Sequence, residues 1–106
     1  MFLDYVLDQL GELGPVSSRA MFGGNGVYLG GQFFAIVYRE RLYFRTDDTT
    51  RPEYERNGSE PFRPNERQTL KSYWEVPAEV LDDRDQLVEW ARDAVSCDAA
   101  EAGKTR

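Results

Sequence analysis

The 106-residue chain contains no histidine, a single cysteine (Cys97) and only two lysines, at positions 71 and 104. Without histidine, a serine or cysteine nucleophile has no usual general base. One cysteine excludes an internal disulfide and fits a reducing compartment. No apolar run approaches the ~20 residues of a membrane-spanning helix, and the N-terminus opens on amphipathic sequence containing Asp4 instead of a signal peptide. A cytoplasmic protein is the expectation. Positive charge is also scarce, with 13 basic against 19 acidic residues and a net charge of −6. Tight direct nucleic-acid binding is therefore not expected, because neutralising phosphates requires a basic face.

What is present reads as one domain over 1–97, followed by a short tail, 98–106, expected to be disordered. Phe2, Leu3, Val6, Leu7, Leu10 and Leu13 recur at helical spacing, with Asp4, Asp8 and Glu12 on a separate stripe, and Gly14-Pro15 ends that helix. Residues 16–46 change to short aromatic and β-branched runs separated by Asn25-Gly26, Gly30-Gly31 and Arg39-Glu40. That pattern predicts a four-stranded antiparallel meander. Thr50 and Glu53 have capping-box spacing, and Gly58 suits a C-terminal stop, so a helix is predicted over about 50–57. Pro61, Pro64 and Asn65 read as a loop. Residues 69–76 alternate as a half-buried strand closed by Pro77. Asp83 and Gln86 then cap a last helix whose apolar stripe is Leu87, Trp90, Ala91, Ala94 and Val95. The order α-β-β-β-β-α-β-α implies an α+β, two-layer domain with flanking helices on an antiparallel sheet.

The glycine-rich stretch Gly23-Gly24-Asn25-Gly26 leads into another strand and not into a helix, so it is not a phosphate cradle. Asn25-Gly26 suits a type I′ hairpin turn, and all four residues are assigned to turn structure, with Gly23 placed opposite Tyr28. No catalytic residue is assigned. Cys97 reads as an incidental thiol, and Asp47, Asp48, Asp82, Asp83 and Asp85 lie at helix starts, where carboxylates complement the dipole. A metal site would have to be built from carboxylates alone, and no EF-hand spacing exists, so no metal is expected.

Pairing across Arg39-Glu40 sets Val37 opposite Leu42 and Ala35 opposite Phe44. One face then carries Phe33, Ala35, Val37, Leu42 and Phe44 as core. The reverse face receives Phe34, Ile36, Tyr38, Arg41, Tyr43 and Arg45, joined by Val27, Leu29 and Phe22. Aromatics bordered by arginines anchor interfaces, so those first six residues are the candidate partner-binding set, for a protein partner or a homodimer.

Arg19, Met21-Phe22-Gly23-Gly24, Gly26, Tyr28, Leu42-Tyr43-Phe44, Tyr73-Trp74, Pro77 and Trp90-Ala91 together resemble the N-terminal domain of the TfoX/Sxy family of bacterial competence regulators, over roughly residues 8–96. The resemblance implies a stand-alone member with an α+β fold similar to secretion chaperones. It implies no cofactor, and action as a non-enzymatic transcriptional accessory protein working with a transcription factor. Two alternatives stand beside that reading. One is a nucleic-acid binder using the seven arginines from Arg39 to Arg67. The other is a small-ligand pocket lined by Tyr28, Tyr43, Tyr73 and Trp74.

Overall fold

The computed structural model describes residues 1–21 and 23–104, the side chains of 98–104 excepted. Helix α1 (Phe2–Gln9) and a 3₁₀ turn (Gly11–Leu13) lead into strands β1 (Val16–Met21), β2 (Gly24–Leu29), β3 (Gln32–Tyr38) and β4 (Arg41–Arg45). Helix α2 (Arg51–Arg56), strands β5 (Pro61–Asn65) and β6 (Gln68–Glu75), and helices α3 (Ala78–Leu81) and α4 (Arg84–Lys104) complete the order. The six strands form one antiparallel sheet, β1-β2-β3-β4-β6-β5. The α+β class and the order of the predicted elements hold. Two elements are additional, the short α3 and the strand β5, which replaces the loop expected at Pro61–Asn65. The expected disorder at 98–106 falls partly on positions outside the described residues.

The helices lie on one face of the sheet. Val6 of α1 and Leu10 at its C-terminal end, Tyr54 of α2, Val80 of α3 and Leu87, Ala91 and Ala94 of α4 bury against Val27, Phe34, Ala35, Val37, Leu42 and Phe44. The predicted stripes of α1 and α4 are thus the faces that meet the sheet. Gln9 is the buried polar residue in this seam. Its amide donates to the Leu81 carbonyl at 3.0 Å and its oxygen accepts from Arg84 at 3.2 Å, tying α1 to α3 and α4. Asp83 caps α4 as predicted, accepting the Gln86 amide at 3.2 Å. Gly58 (φ +77°) stops α2, with Gly58 N–H donating to Glu55 O and Ser59 N–H to Tyr54 O, the bonding pattern of a Schellman motif. Thr50 is the N-cap residue, as predicted, but its side chain makes no capping bond within α2. Asp47 Oδ1 accepts the Thr50 amide at 3.0 Å while Asp47 N–H donates to Thr50 Oγ1 at 3.0 Å, so this reciprocal pair takes the place of Thr50 and Glu53.

The first hairpin turn is also displaced from its expected place. Met21 pairs with Gly24, and Gly23, just before β2, has φ +79°. Asn25 and Gly26 lie inside β2, opposite Val37 and Ile36 of β3. A turn at Asn25-Gly26 would shorten β2 by half and leave the end of β3 unpaired, so sheet hydrogen bonding overrides the local turn preference. Gly26 is needed for space and not for positive φ. A Cβ there would stand 2.6 Å from Met21 Cε and 3.0 Å from Phe33 Cε1. Ser17, not Gly23, is the partner of Tyr28. At Gly24 the obstacle is backbone, because a Cβ would fall 2.3 Å from the Val37 carbonyl oxygen.

The β2–β3 turn uses Gly30 and Gly31 at positive φ, as their sequence suggests. Arg39 and Glu40 form the β3–β4 turn at φ 51° and 62°, a conformation side chains rarely adopt, and the β3–β4 register is the predicted one.

Gly24→Ala should destabilise the domain by about 2–3 kcal/mol, since β2 must separate from the Val37 carbonyl. Gly26→Ala should cost about 1 kcal/mol, because the Met21 side chain can swing away. Urea unfolding of the two variants measures the difference, and equal midpoints would refute the assignment.

Candidate functional site

The second face of the sheet carries no helix. Its buried cluster is Ile36, Tyr43, Phe62 and Tyr73, with Phe33, Tyr38 and Leu70 packed against it. Phe62 of β5 stands 5.2 Å, ring to ring, from Tyr38 of β3 and 4.8 Å from Tyr43 of β4. In a flat sheet, three strand spacings of about 4.8 Å would hold Phe62 roughly 14 Å from Tyr38. The β5–β6 hairpin therefore curls over this face. Register irregularities on both sides of Phe62 supply the bend. The Tyr38 hydroxyl meets the Pro64 carbonyl at 3.4 Å as the hairpin closes.

This closure revises the predicted surface. Ile36 and Phe62 are 0% exposed and Tyr43 is 8% exposed, so the middle of the face is core. Phe34 is on the other side altogether, packed on Phe44 among the helices. The cause is a β-bulge. Val27 pairs with Ala35 and Tyr28 with Phe33, leaving Phe34 as an extra residue, and side-chain alternation shifts phase there. The same shift moves Phe33 out of the predicted core set. Val27 and Leu29 also belong to the helix side. Phe22 lies outside the described residues. Of the six candidate residues, Tyr38, Arg41 and Arg45 reach the surface. Arg41 pairs with Glu75 at 3.1 Å, and Arg45 donates to the Tyr73 hydroxyl at 3.2 Å.

What the curled hairpin leaves partly open is a strip running across the sheet from β1. Arg19 lies over the Tyr28 ring at 5.5 Å, Tyr28 is 5.3 Å from Phe33, and Phe33 is 5.4 Å from Tyr73. Arg45 covers Tyr73 at 5.4 Å. Arg19 is exposed and Tyr28 and Phe33 are half-buried. Sequence reasoning missed Arg19 and Phe33, because only the bulge brings Phe33 beside Tyr28.

The strip adjoins an open sheet edge. β1 pairs with β2 through six consecutive residues and lies at the end of the strand order. Ser17, Ser18, Arg19 and Ala20 are exposed, and the strand contains neither proline nor bulge. The opposite edge, β5, carries Pro61 and Pro64, which lack an N–H and obstruct strand addition.

A model of the TfoX N-terminal domain matches residues 8–98. The chain belongs to that family. No match was found among the curated proteins. This TfoX N-terminal domain brings neither alternative set of residues together. Trp74 pairs with Phe44 and packs toward the helices, away from Tyr28, Tyr43 and Tyr73. The arginines between 39 and 67 are dispersed. Arg51 pairs with Asp48, Arg56 with Glu53 and Arg63 with Glu60, so carboxylates interrupt any basic run.

Cys97 is 1% exposed, with Sγ 3.5 Å from Thr50 Oγ1, and burial pushes its thiol up to about 11. It is a packed thiol with little nucleophilic character. The Thr49 hydroxyl, the Cys97 thiol and the Thr50 and Thr49 amides together hold the Asp47 carboxyl well below the usual carboxylate range. Among the described residues no three acidic or cysteine side chains converge as metal ligands do, and no helix is long and apolar enough to cross a membrane.

Two outcomes follow for this region. Ile36→Asp should unfold the isolated domain, at a cost of about 4 kcal/mol or more, because an unpaired carboxylate replaces a buried side chain. A folded, monodisperse Ile36→Asp protein by circular dichroism and light scattering would show that β5 does not close this face. Asp47→Ala should lower the melting temperature at pH 7 by removing a cap worth about 1 kcal/mol. A depressed folded-state pKa contributes stability that is present above the unfolded value near 4 and fades as pH falls below it, so melting curves of wild type and variant should converge in acid.

Proposed function

We propose that this TfoX N-terminal domain is a non-enzymatic protein-interaction module of the cytoplasm, a regulatory accessory protein whose partner is another protein, with a transcription factor the favoured class. The observation that carries this reading is the asymmetry of the sheet. One edge is barred by two prolines, while the other is continuous and backed by an arginine–aromatic strip. An extended partner segment added to β1 gains main-chain hydrogen bonds along the strand, and alternate side chains of that segment lie beside Arg19, whose guanidinium leads on to the Tyr28 ring one strand farther in. Aromatic rings and arginines are the residue types that anchor interfaces. Family membership over 8–98 supports a regulatory role of this kind.

Proline scanning of β1 tests it. Successive amides of an antiparallel strand point alternately to the neighbour and away from it. Of Ser18→Pro and Arg19→Pro, one variant should lose the β1–β2 ladder, and the other should remain folded with only the outward edge blocked. The folded variant is expected to lose the partner that the wild type captures from its host, or its self-association if the partner is a second copy. Hydrogen exchange on the captured complex should show new protection confined to β1. A folded edge variant that keeps every association of the wild type would sink the proposal.

A further inference from the structure

A second surface, independent of the β1 edge, lies where the β5–β6 hairpin faces the segment leading into α2. It is an open cleft of about 770 Å³ whose walls include Asp48, Arg51, Pro61, Arg63, Lys71 and Trp74. Three cations and one carboxylate line this cleft, with Glu60 beside Arg63 as a second carboxylate, on a chain of net charge −6. The cleft lining also includes two half-buried apolar side chains, Pro61 and Trp74. Pro61 and Trp74 are register partners on paired strands, which places their side chains next to each other on one face. The indole N–H donates to the Lys71 carbonyl at 2.8 Å, fixing the Trp74 ring with part of its surface in solvent.

The cations differ in how they are held. Arg51 is braced, its Nε donating to Thr46 Oγ1 at 3.3 Å and one terminal nitrogen pairing with Asp48 at 3.0 Å. Arg63 pairs with Glu60 at 3.5 Å, with both side chains more than half exposed. A solvent-exposed pair of that kind is worth little and exchanges readily for a stronger anion. Lys71 is exposed and carries no ion pair among the described residues. One arginine is thus pre-organised, and two cations are available to reorient onto an incoming charge.

We infer that this cleft binds a nucleotide, its base stacked on Trp74 and Pro61 and its phosphate held by Lys71, Arg63 and Arg51. Each part of the site accounts for one part of the ligand. A planar aromatic platform favours a base, since every base has a π-face. Guanidinium and ammonium groups favour phosphate, through bidentate and point-charge contacts respectively. The volume falls within the range of about 300–1,000 Å³ typical of small-ligand sites. Asp48 on the wall is an acceptor suited to a sugar hydroxyl or an exocyclic amine. An acidic peptide would satisfy the cations but leave the platform without a planar partner.

The test is a nitrogen-15 NMR titration of the intact domain with AMP. Saturating shifts of the Trp74 indole and Lys71 amide signals are expected, with Kd below about 1 mM. Arg63→Ala combined with Lys71→Ala, both exposed positions, should raise Kd about tenfold or more with the rest of the spectrum unchanged, while Arg56→Ala on α2 should leave it as it was. Adenosine and inorganic phosphate should each bind at least about tenfold more weakly than AMP, because each engages half of the site. A single strand of four thymidylates separates the two sources of the same chemistry. Affinity well above that of AMP identifies a nucleotide within a strand, and affinity no better than AMP identifies the free nucleotide. Absence of saturation at about 10 mM AMP overturns the inference. So does binding that ignores the double substitution, or occupation of the cleft by penta-glutamate in preference to AMP.

Discussion

Between Val27 and Tyr28 on one strand and Ala35 and Phe33 on the next, Phe34 has no pairing partner of its own, and both faces of the sheet take their composition from that extra residue. Because side chains alternate strictly along a strand, one inserted residue exchanges the faces of everything on its far side. Phe34 joins Phe44 under the helices, while Phe33 turns to Tyr28 and Tyr73 on the other side. Without the bulge Phe33 would press into the helix layer and Phe34 would stand where the aromatic strip now runs. The helix-side core and the second aromatic cluster are two consequences of the same local geometry.

The second constraint is closure. A two-layer domain ordinarily leaves one sheet face to water, and this one bears Ile36, Tyr38 and Tyr43, which water solvates poorly. The chain resolves the conflict with its own β5–β6 hairpin, which bends at Phe62 and sets that ring on Tyr38 and Tyr43. Prolines assist twice. They tolerate the irregular pairing of β5, and they leave that edge unable to accept another strand. Closure is incomplete toward β1, so the accessible part of the face and the accessible edge fall together. Arg19 joins them, rising from the edge strand over the first ring of the strip.

The two sides of the molecule thereby acquire different chemistry. The β1 side offers backbone and aromatic surface with arginine at its margins, suited to an extended polypeptide. The far side, between α2 and the β5–β6 hairpin, offers cations around an indole platform. Nothing requires the two to compete, since the whole curled sheet separates them. A regulatory module able to hold a partner segment on one side and a small anion on the other would have the physical parts for linkage. Any coupling between them would pass through the β2–β3–β4–β6 ladders that join the two edges.

Much of the architecture was legible from local pattern. The helix stripes of α1 and α4, the Gly30-Gly31 turn, the β3–β4 register, the Asp83 cap and the Gly58 stop all rest on interactions spanning a few residues, so composition and spacing suffice to place them. The resemblance to the TfoX N-terminal domain was legible for the same reason, carried by short runs such as Met21-Phe22-Gly23-Gly24 and Tyr73-Trp74. The failures share a different cause. Asn25-Gly26 has the local preference for a turn, yet long-range pairing of β2 with β3 places it within a strand. Pro61–Asn65 has the composition of a loop, yet β6 recruits it as an edge. The Phe34 bulge has no marker in the sequence, because two adjacent phenylalanines satisfy either phase of the alternation. Short-range energetics therefore determined which elements form and roughly where they end. Which face each aromatic occupies, which edge stays open and which cations share a cleft with Trp74 were decided only when strands distant in sequence paired, since register and curl are properties of the assembled sheet.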